Sequence, residues 1–316
     1  MKTILVTGGT GLVGSAIRQV ISEELTDVEI IKDYRCIFLS SKDGNLIIRE
    51  DVKRIFEIYK PTYVIHLAAS VGGLYKNLNN NLKMYLDNLK INQNILYFCD
   101  KYKVKKIVSC LSTCVFPNKV KYPINESMLH EGLPHSSNEG YAFAKRMLEV
   151  ESRLYNNVSE TKYICIIPTN VYGPNDNYSL NDGHVIPSLI HRCYLAKENG
   201  NDFVVYGSGK PLRQFIYSID LGKLILLILD KYDDREGIIL ASNKEYSIKE
   251  ISELICINFN YSNIVFDRSK SDGQYKKTAS NEKLLKLYPE FKFTSLEEGL
   301  KETISWFIKE YPNIRR

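Results

Sequence analysis

Tyr141 and Lys145 stand four residues apart in "YAFAK", within a stretch of helical periodicity, so both fall on one helix face. A phenol placed there can hand a proton to a carbonyl oxygen if the neighbouring ammonium stabilises the phenolate left behind. Upstream, "SCLSTCVFP" ends an apolar run with Ser112 and Cys114. The hydroxyl can hold that same oxygen by a hydrogen bond, and the thiol can move a proton on either side of neutrality when a positive neighbour lowers its pKa. His184, in "DGHVIP", opens a further helical stretch and is the other group able to titrate near neutral pH. Taken singly, each has a plainer use: an amphipathic helix with a snorkelling lysine, a buried cysteine, a capping histidine. Together they describe one chemistry. A ketone acidifies the hydrogens on the carbons beside it, because the enolate's charge rests on the carbonyl oxygen, where Ser112 and Tyr141 could stabilise it. Cys114 and His184 could then take a proton from one face of such a carbon and return one to the other.

Reduction of the carbonyl needs a hydride donor, and the first residues provide for one. "VTGGTGLVG" sets Gly8, Gly11 and Gly14 at the spacing GxxGxxG, after a short apolar strand and at the mouth of a helix. Glycines let the backbone approach a pyrophosphate, and the helix N-terminus, here with Leu12 and Val13, offers free N–H groups and a partial positive charge. Near the end of the second strand, where a carboxylate would hold the ribose hydroxyls of NAD, the chain reads "LSSKDGN". Ser41 and Lys42 suit a 2′-phosphate, so NADP is expected over NAD, with Asp43 as the counter-argument and Asn45 and Leu46 continuing the cofactor edge.

These groups need a frame. Near-continuous apolar runs at residues 3–7, 36–39, 63–67, 106–111 and 163–168 read as strands covered on both faces. They alternate with helical periodicity at 12–25, 51–59, 80–102 and 140–155, the mark of βαβ units. The expected fold is α/β: a Rossmann-like, doubly wound parallel sheet with a smaller mixed α/β substrate-binding lobe. Residues 1–171 would form the NADP-binding domain, rejoined by about 215–240, and 172–316 the lobe, with helices at 185–196, 220–229, 247–258 and 296–310. Ser112 then falls at the carboxyl end of the fourth strand, where open α/β sheets bind ligands.

Composition excludes other classes. In 316 residues, 44% are apolar and 25% charged, as in ordinary globular proteins. The opening apolar run is too short for a signal peptide, and no stretch is long and apolar enough for a membrane span, so a cytoplasmic protein with no membrane partner is expected. The net charge of +5 is spread along the chain, which argues against a nucleic-acid partner and suits a substrate carrying phosphates. Seven cysteines without a CxxC pair argue against a disulfide scaffold and against a metal site.

The glycine loop, "HLAA" at 66–69, Ser112 and Tyr141-x-x-x-Lys145 together resemble the extended short-chain dehydrogenase/reductase family, whose members mostly modify nucleotide sugars. The resemblance spans essentially the whole chain. It sharpens at "HLAASVGGLYKN", "LSTCVFP", "SSNEGYAFAKRM", "IPTNVYGPNDNY", "DGHVIP" and "SDGQYKKTASN". These are similar to the members that epimerise carbons three and five of a 4-keto-6-deoxy GDP-sugar and then reduce carbon four with NADPH. The resemblance implies Cys114 and His184 as the epimerisation acid/base pair and Ser112, Tyr141 and Lys145 as the reductase triad. It implies that Pro168, Asn170, Val171, Lys145 and His184 border the cofactor. It also implies that Arg192, Tyr206, Arg213, Asp272 and Lys277 face the nucleotide sugar, Tyr206 standing where bacterial members carry tryptophan. A homodimer formed through the helices at 80–102 and 140–155 is a further implication. Two other functions stay open: a different nucleotide-sugar enzyme, and a regulator that binds NADP without catalysis. Thr113 and Cys114 stand where a dehydratase of this family would carry acidic residues.

Overall fold

The computed structural model describes residues 2–316, apart from the side chains of residues 74–76 and 78. The first half runs β1 (Thr3–Thr7), α1 (Leu12–Ser22), α2 (Ile30–Asp33), β2 (Arg35–Phe38), α3 (Arg49–Tyr59), β3 (Tyr63–His66), α4 (Leu74–Lys101), β4 (Lys106–Cys110), α5 (Glu139–Val158) and β5 (Lys162–Pro168). The second half runs β6 (Asn170–Tyr172), α6 (Val185–Asn199), β7 (Phe203–Tyr206), β8 (Leu212–Tyr217), α7 (Ser218–Lys231), β9 (Ile238–Leu240), β10 (Glu245–Ser247), α8 (Ile248–Phe259), β11 (Ile264–Asp267), α9 (Glu282–Leu287) and α10 (Leu296–Glu310).

Six parallel strands form the main sheet in the order β2-β1-β3-β4-β5-β9. Strand order reverses between β1 and β3, and such switch points open the crevice in which α/β sheets hold ligands. Alternate strand residues enter two cores, since successive side chains point to opposite faces. Ile4, Val6, Ile65, Val108 and Ile164 pack with α1 and α7, while Leu5, Val64, Ile107 and Ile167 pack with α3 and α4. Each of these fully buried aliphatic side chains contributes about 1.5–3 kcal/mol, which is why the strands read as unbroken apolar runs.

Differences from the sequence reading have local causes. The fourth helix begins at Leu74 rather than 80, bent at Asn80 (φ −133°), because Asn77 turns its amide onto the Gly72 and Gly73 carbonyls and secures the first turn. Short strands in the second half carry no alternation long enough to read: β6 lies beside β8, itself paired with β10, and β7 pairs with β11. α2 and α9 are likewise too short to show a helical period.

Candidate active site

The carboxyl ends of β1, β3, β4 and β5 open into one cavity of about 1480 Å³, whose far wall comes from the second half of the chain. At its first corner the turn after β1 is closed by the Gly11 N–H donating to the Gly8 carbonyl at 3.0 Å. Gly8 has φ +69°, and a Cβ at Gly14 would lie 2.5 Å from the Gly8 oxygen. Only glycine fits there, and the backbone cradle it leaves suits a diphosphate at the N-terminus of α1. Ser41, Asn45 and Leu46 continue that edge of the cavity, and Pro168, Asn170 and Val171 border it beyond β5. Lys42 is exposed and does not line the cavity. Asp43 is committed elsewhere: its carboxylate accepts from the Ser40 N–H at 2.7 Å and hydroxyl at 2.8 Å, bonds that hold its pKa below the ordinary range. The carboxylate that argued for NAD is thus an element of the turn.

The second corner is the end of β4. Leu111 still donates to the Ile166 carbonyl, after which Ser112 is extended (φ −162°) and a short 3₁₀ turn, Thr113–Val115, begins. Ser112 Oγ accepts from the Cys114 N–H at 3.5 Å, so hydroxyl and thiol share one turn. α5 is tied to this corner twice: Lys145 Nζ donates to the Cys110 carbonyl at 2.6 Å, and Arg146 Nε to the Val115 carbonyl at 2.5 Å. A third tie runs beneath. His66 bonds Thr7 through Nδ1 and Asn92 through Nε2, and Asn92 donates to the Ala144 carbonyl, fixing α5 against β1, β3 and α4. Burial drives the His66 imidazole down to about 3, assisted by the Lys145 charge, so this histidine is a neutral strut.

Ser112, Cys114, Tyr141 and Lys145 all line the cavity. Desolvation holds the Tyr141 phenol well above its ordinary value, reinforced by Cys114 and Cys110, so the phenol keeps its proton. Lys145 Nζ lies 5.8 Å from the Tyr141 ring centre and is lowered by burial, opposed by the same thiols. Its hydrogen bond goes to the Cys110 carbonyl, so its influence on the phenol is electrostatic here. Cys114 corrects the sequence reading. Positive neighbours are present, Lys277 first and then Lys145, but burial outweighs them and the thiol titrates above its ordinary value. Its side of the cavity is too dry for the cations to win.

The far wall is of another kind. His184 is exposed at the N-cap of α6 and lines the cavity across from β4. Arg192, one face along α6, places its guanidinium 3.8 Å from the Tyr206 ring centre and donates to the Leu180 carbonyl. Arg213, implied to face the nucleotide sugar, lines the cavity, but its guanidinium donates to the backbone carbonyls of Leu212, Gln274 and Tyr275, so much of its donor capacity is already used. Asp272 accepts from the Ser208 N–H and hydroxyl, bracing the loop that carries Tyr206. Lys277 faces Cys114 and is lowered by burial. Asp176, Asn138 and Arg315 line the same cavity; the first two fall inside stretches that carry the resemblance but have no role assigned by it, and Arg315 lies outside them. For Asp176 the only signal was a turn-rich "YGPNDN", and Arg315 arrives from the other end of the chain.

The pattern of the NAD dependent epimerase/dehydratase family matches residues 4–247. The chain is 48% identical to the GDP-L-fucose synthase of Dictyostelium discoideum, covering all of this chain and 98% of that one. It is 44% identical to a probable GDP-L-fucose synthase of Drosophila melanogaster, covering both chains completely. The crystal structure of a GDP-L-fucose synthetase from Naegleria fowleri bound to NADP superposes with a TM-score of 0.93 at 49% identity, over all of this chain and 95% of that one.

Proposed function

The chain belongs to the NAD dependent epimerase/dehydratase family, and from that premise we propose that it makes GDP-L-fucose. Carbons three and five of GDP-4-dehydro-6-deoxy-D-mannose are epimerised, and carbon four is then reduced with NADPH. One observation carries this reading: Ser112 and Cys114 from the turn after β4, Tyr141 and Lys145 from α5, and His184 from the N-cap of α6 meet in a single cavity with the glycine turn after β1.

The keto oxygen of the sugar sits between Ser112 Oγ and the Tyr141 phenol, which stabilise the charge it gains when a neighbouring carbon loses its proton. His184 and Cys114 face the ring from opposite walls. Because burial keeps Cys114 in its thiol form, it is set to return a proton, and the thiolate this leaves faces Lys277 and Lys145. Lys145 balances the phenolate that forms when Tyr141 protonates the oxygen during reduction. Bound NADPH supplies the hydride. The turn at Gly8, Gly11, Leu12, Val13 and Gly14 would hold its diphosphate, Ser41, Asn45 and Leu46 the adenosine end, and Pro168, Asn170, Val171, Lys145 and His184 the nicotinamide end. Arg192, stacked on Tyr206, and the region of Arg213, Asp272 and Lys277 take the GDP moiety.

A homodimer is part of the proposal. Leu82 (70% exposed) and Leu86 on α4 and Leu154 (54% exposed) on α5 leave apolar surface on two packed helices, which a second copy would cover. The compartment proposed is the cytoplasm, where seven free cysteines persist; among the described residues no helix is long and apolar enough to cross a membrane.

Purified protein given the 4-keto sugar nucleotide and NADPH is expected to oxidise the cofactor and yield GDP-L-fucose by NMR. Reduction without epimerisation would leave a plain reductase, and NADPH binding without turnover would leave a regulator.

A further inference from the structure

Asp176 is a carboxylate that the mechanism above does not use. It is 3% exposed, one oxygen accepts from the Asn177 N–H at 2.7 Å, and the other, Oδ2, is buried without a hydrogen-bond partner. An ionised oxygen left unpaired out of water is costly, and the fold tolerates it at the edge of the cavity that holds the reacting groups. The chain around it is tightly wound. Ser179 accepts at its carbonyl from the Gly183 N–H and at its hydroxyl from the Asp182 N–H. A Cβ at Gly183 would meet the carbonyl oxygens of Ser179 and Asn177 at 2.5 and 2.7 Å, so residues 177–183 close into a compact turn. That turn returns the chain to the cavity at His184, beside Asp176. Two clamps hold it: the Asp182 carbonyl accepts from the Gly73 N–H, and the Tyr178 N–H donates to the Arg315 carbonyl.

We propose that Asp176 is a positioning residue for His184: its free oxygen receives an imidazole N–H when substrate is bound, aiming the other ring nitrogen at the sugar and balancing the imidazolium that proton abstraction creates. This rests on the epimerase reading of His184. Burial lifts the Asp176 carboxyl to about 6, while the electrostatic influence of His184, the Asn177 N–H and the Arg315 guanidinium pulls the other way. A carboxylate behind an imidazole selects its tautomer and steadies its charged form, and replacing it with an amide of equal shape removes both effects. Arg315, brought in by the C-terminal segment, is the rival partner.

The test is a double-mutant cycle read by solvent deuterium entering the keto sugar with NADP⁺ present, a condition under which reduction cannot proceed. Asp176→Asn is expected to slow exchange by about 10- to 100-fold, with NADP affinity unchanged and the melting temperature at pH 8 not lowered. In a His184→Gln background the same change should cost nothing further, because a group acting through the imidazole has nothing left to act on. Equal losses in both backgrounds, or a lowered melting temperature shared with Arg315→Gln, would assign Asp176 to Arg315 and overturn the proposal. Undiminished exchange in Asp176→Asn while His184→Gln is impaired would also overturn it. Full exchange in His184→Gln itself would instead remove the epimerase reading of that histidine.

Discussion

The wall that carries Ser112, Cys114, Tyr141 and Lys145 and the wall that carries His184 reach one cavity by opposite means. The first is the end of β4 bound to α5 by Lys145, Arg146 and the Thr7–His66–Asn92 chain, all of it buried. The second is an exposed imidazole at the head of α6, delivered by a turn and held by backbone bonds to Gly73 and to Arg315. The difference matches the two reactions proposed. Reduction needs one oxygen held at one place, which a sheet edge and a packed helix provide. Inversion needs proton-transfer groups on both faces of the ring, so Cys114 serves it from the sheet edge and His184, carried by a clamped turn, from the wall opposite.

Substitutions can break or sharpen this contrast. Tyr141→Phe should carry the largest effect, lowering reduction by about 10³-fold while solvent deuterium still enters the sugar; loss of both would mean that the two walls do not divide the labour. Cys114→Ser should cut inversion of the keto sugar, followed by NMR with NADP⁺ present, by about 10²-fold with NADP affinity intact, and inversion at the full rate would make the thiol a packing residue. Lys277→Met tests the electrostatics of the rigid side. Burial raises the Cys114 thiol and Lys277 is the chief charge opposing it. Without that charge the thiolate left by proton return is harder to form, so inversion should fall by about tenfold at neutrality, and its decline at high pH, where the thiol itself ionises, should move to higher pH. An unmoved profile would show that the lysine serves the nucleotide alone. The smallest effect is expected of Leu82→Arg combined with Leu154→Arg, placed outside the cavity behind the rigid wall. Sedimentation should report monomers and turnover should change by less than about twofold; a dimer persisting at micromolar concentration would put the interface elsewhere.

The rigid wall was largely legible in the sequence because its parts are local. The glycine turn is made by Gly8, Gly11 and Gly14 within one loop, Tyr141 and Lys145 are one helical turn apart, and Ser112 and Cys114 share a 3₁₀ turn. The other wall was legible only in names. His184 and Arg192 could be named from "DGHVIP" and its helix, but nothing in that stretch says that it faces "LSTC".

What the order of residues determined by itself was the alternation of apolar runs with helical faces, the glycine turn after β1 and the placing of Tyr141 and Lys145 on one helix face, since all of these are properties of neighbours along the chain. Tertiary structure decided the rest through burial and long-range pairing. It set Cys114 in a place dry enough to stay a thiol despite Lys277, spent Asp43 on Ser40 and Arg213 on backbone carbonyls, and brought Asp176 and Arg315 to the same edge. Desolvation and charge pairing depend on what surrounds a group in space, and no run of sequence carries that information.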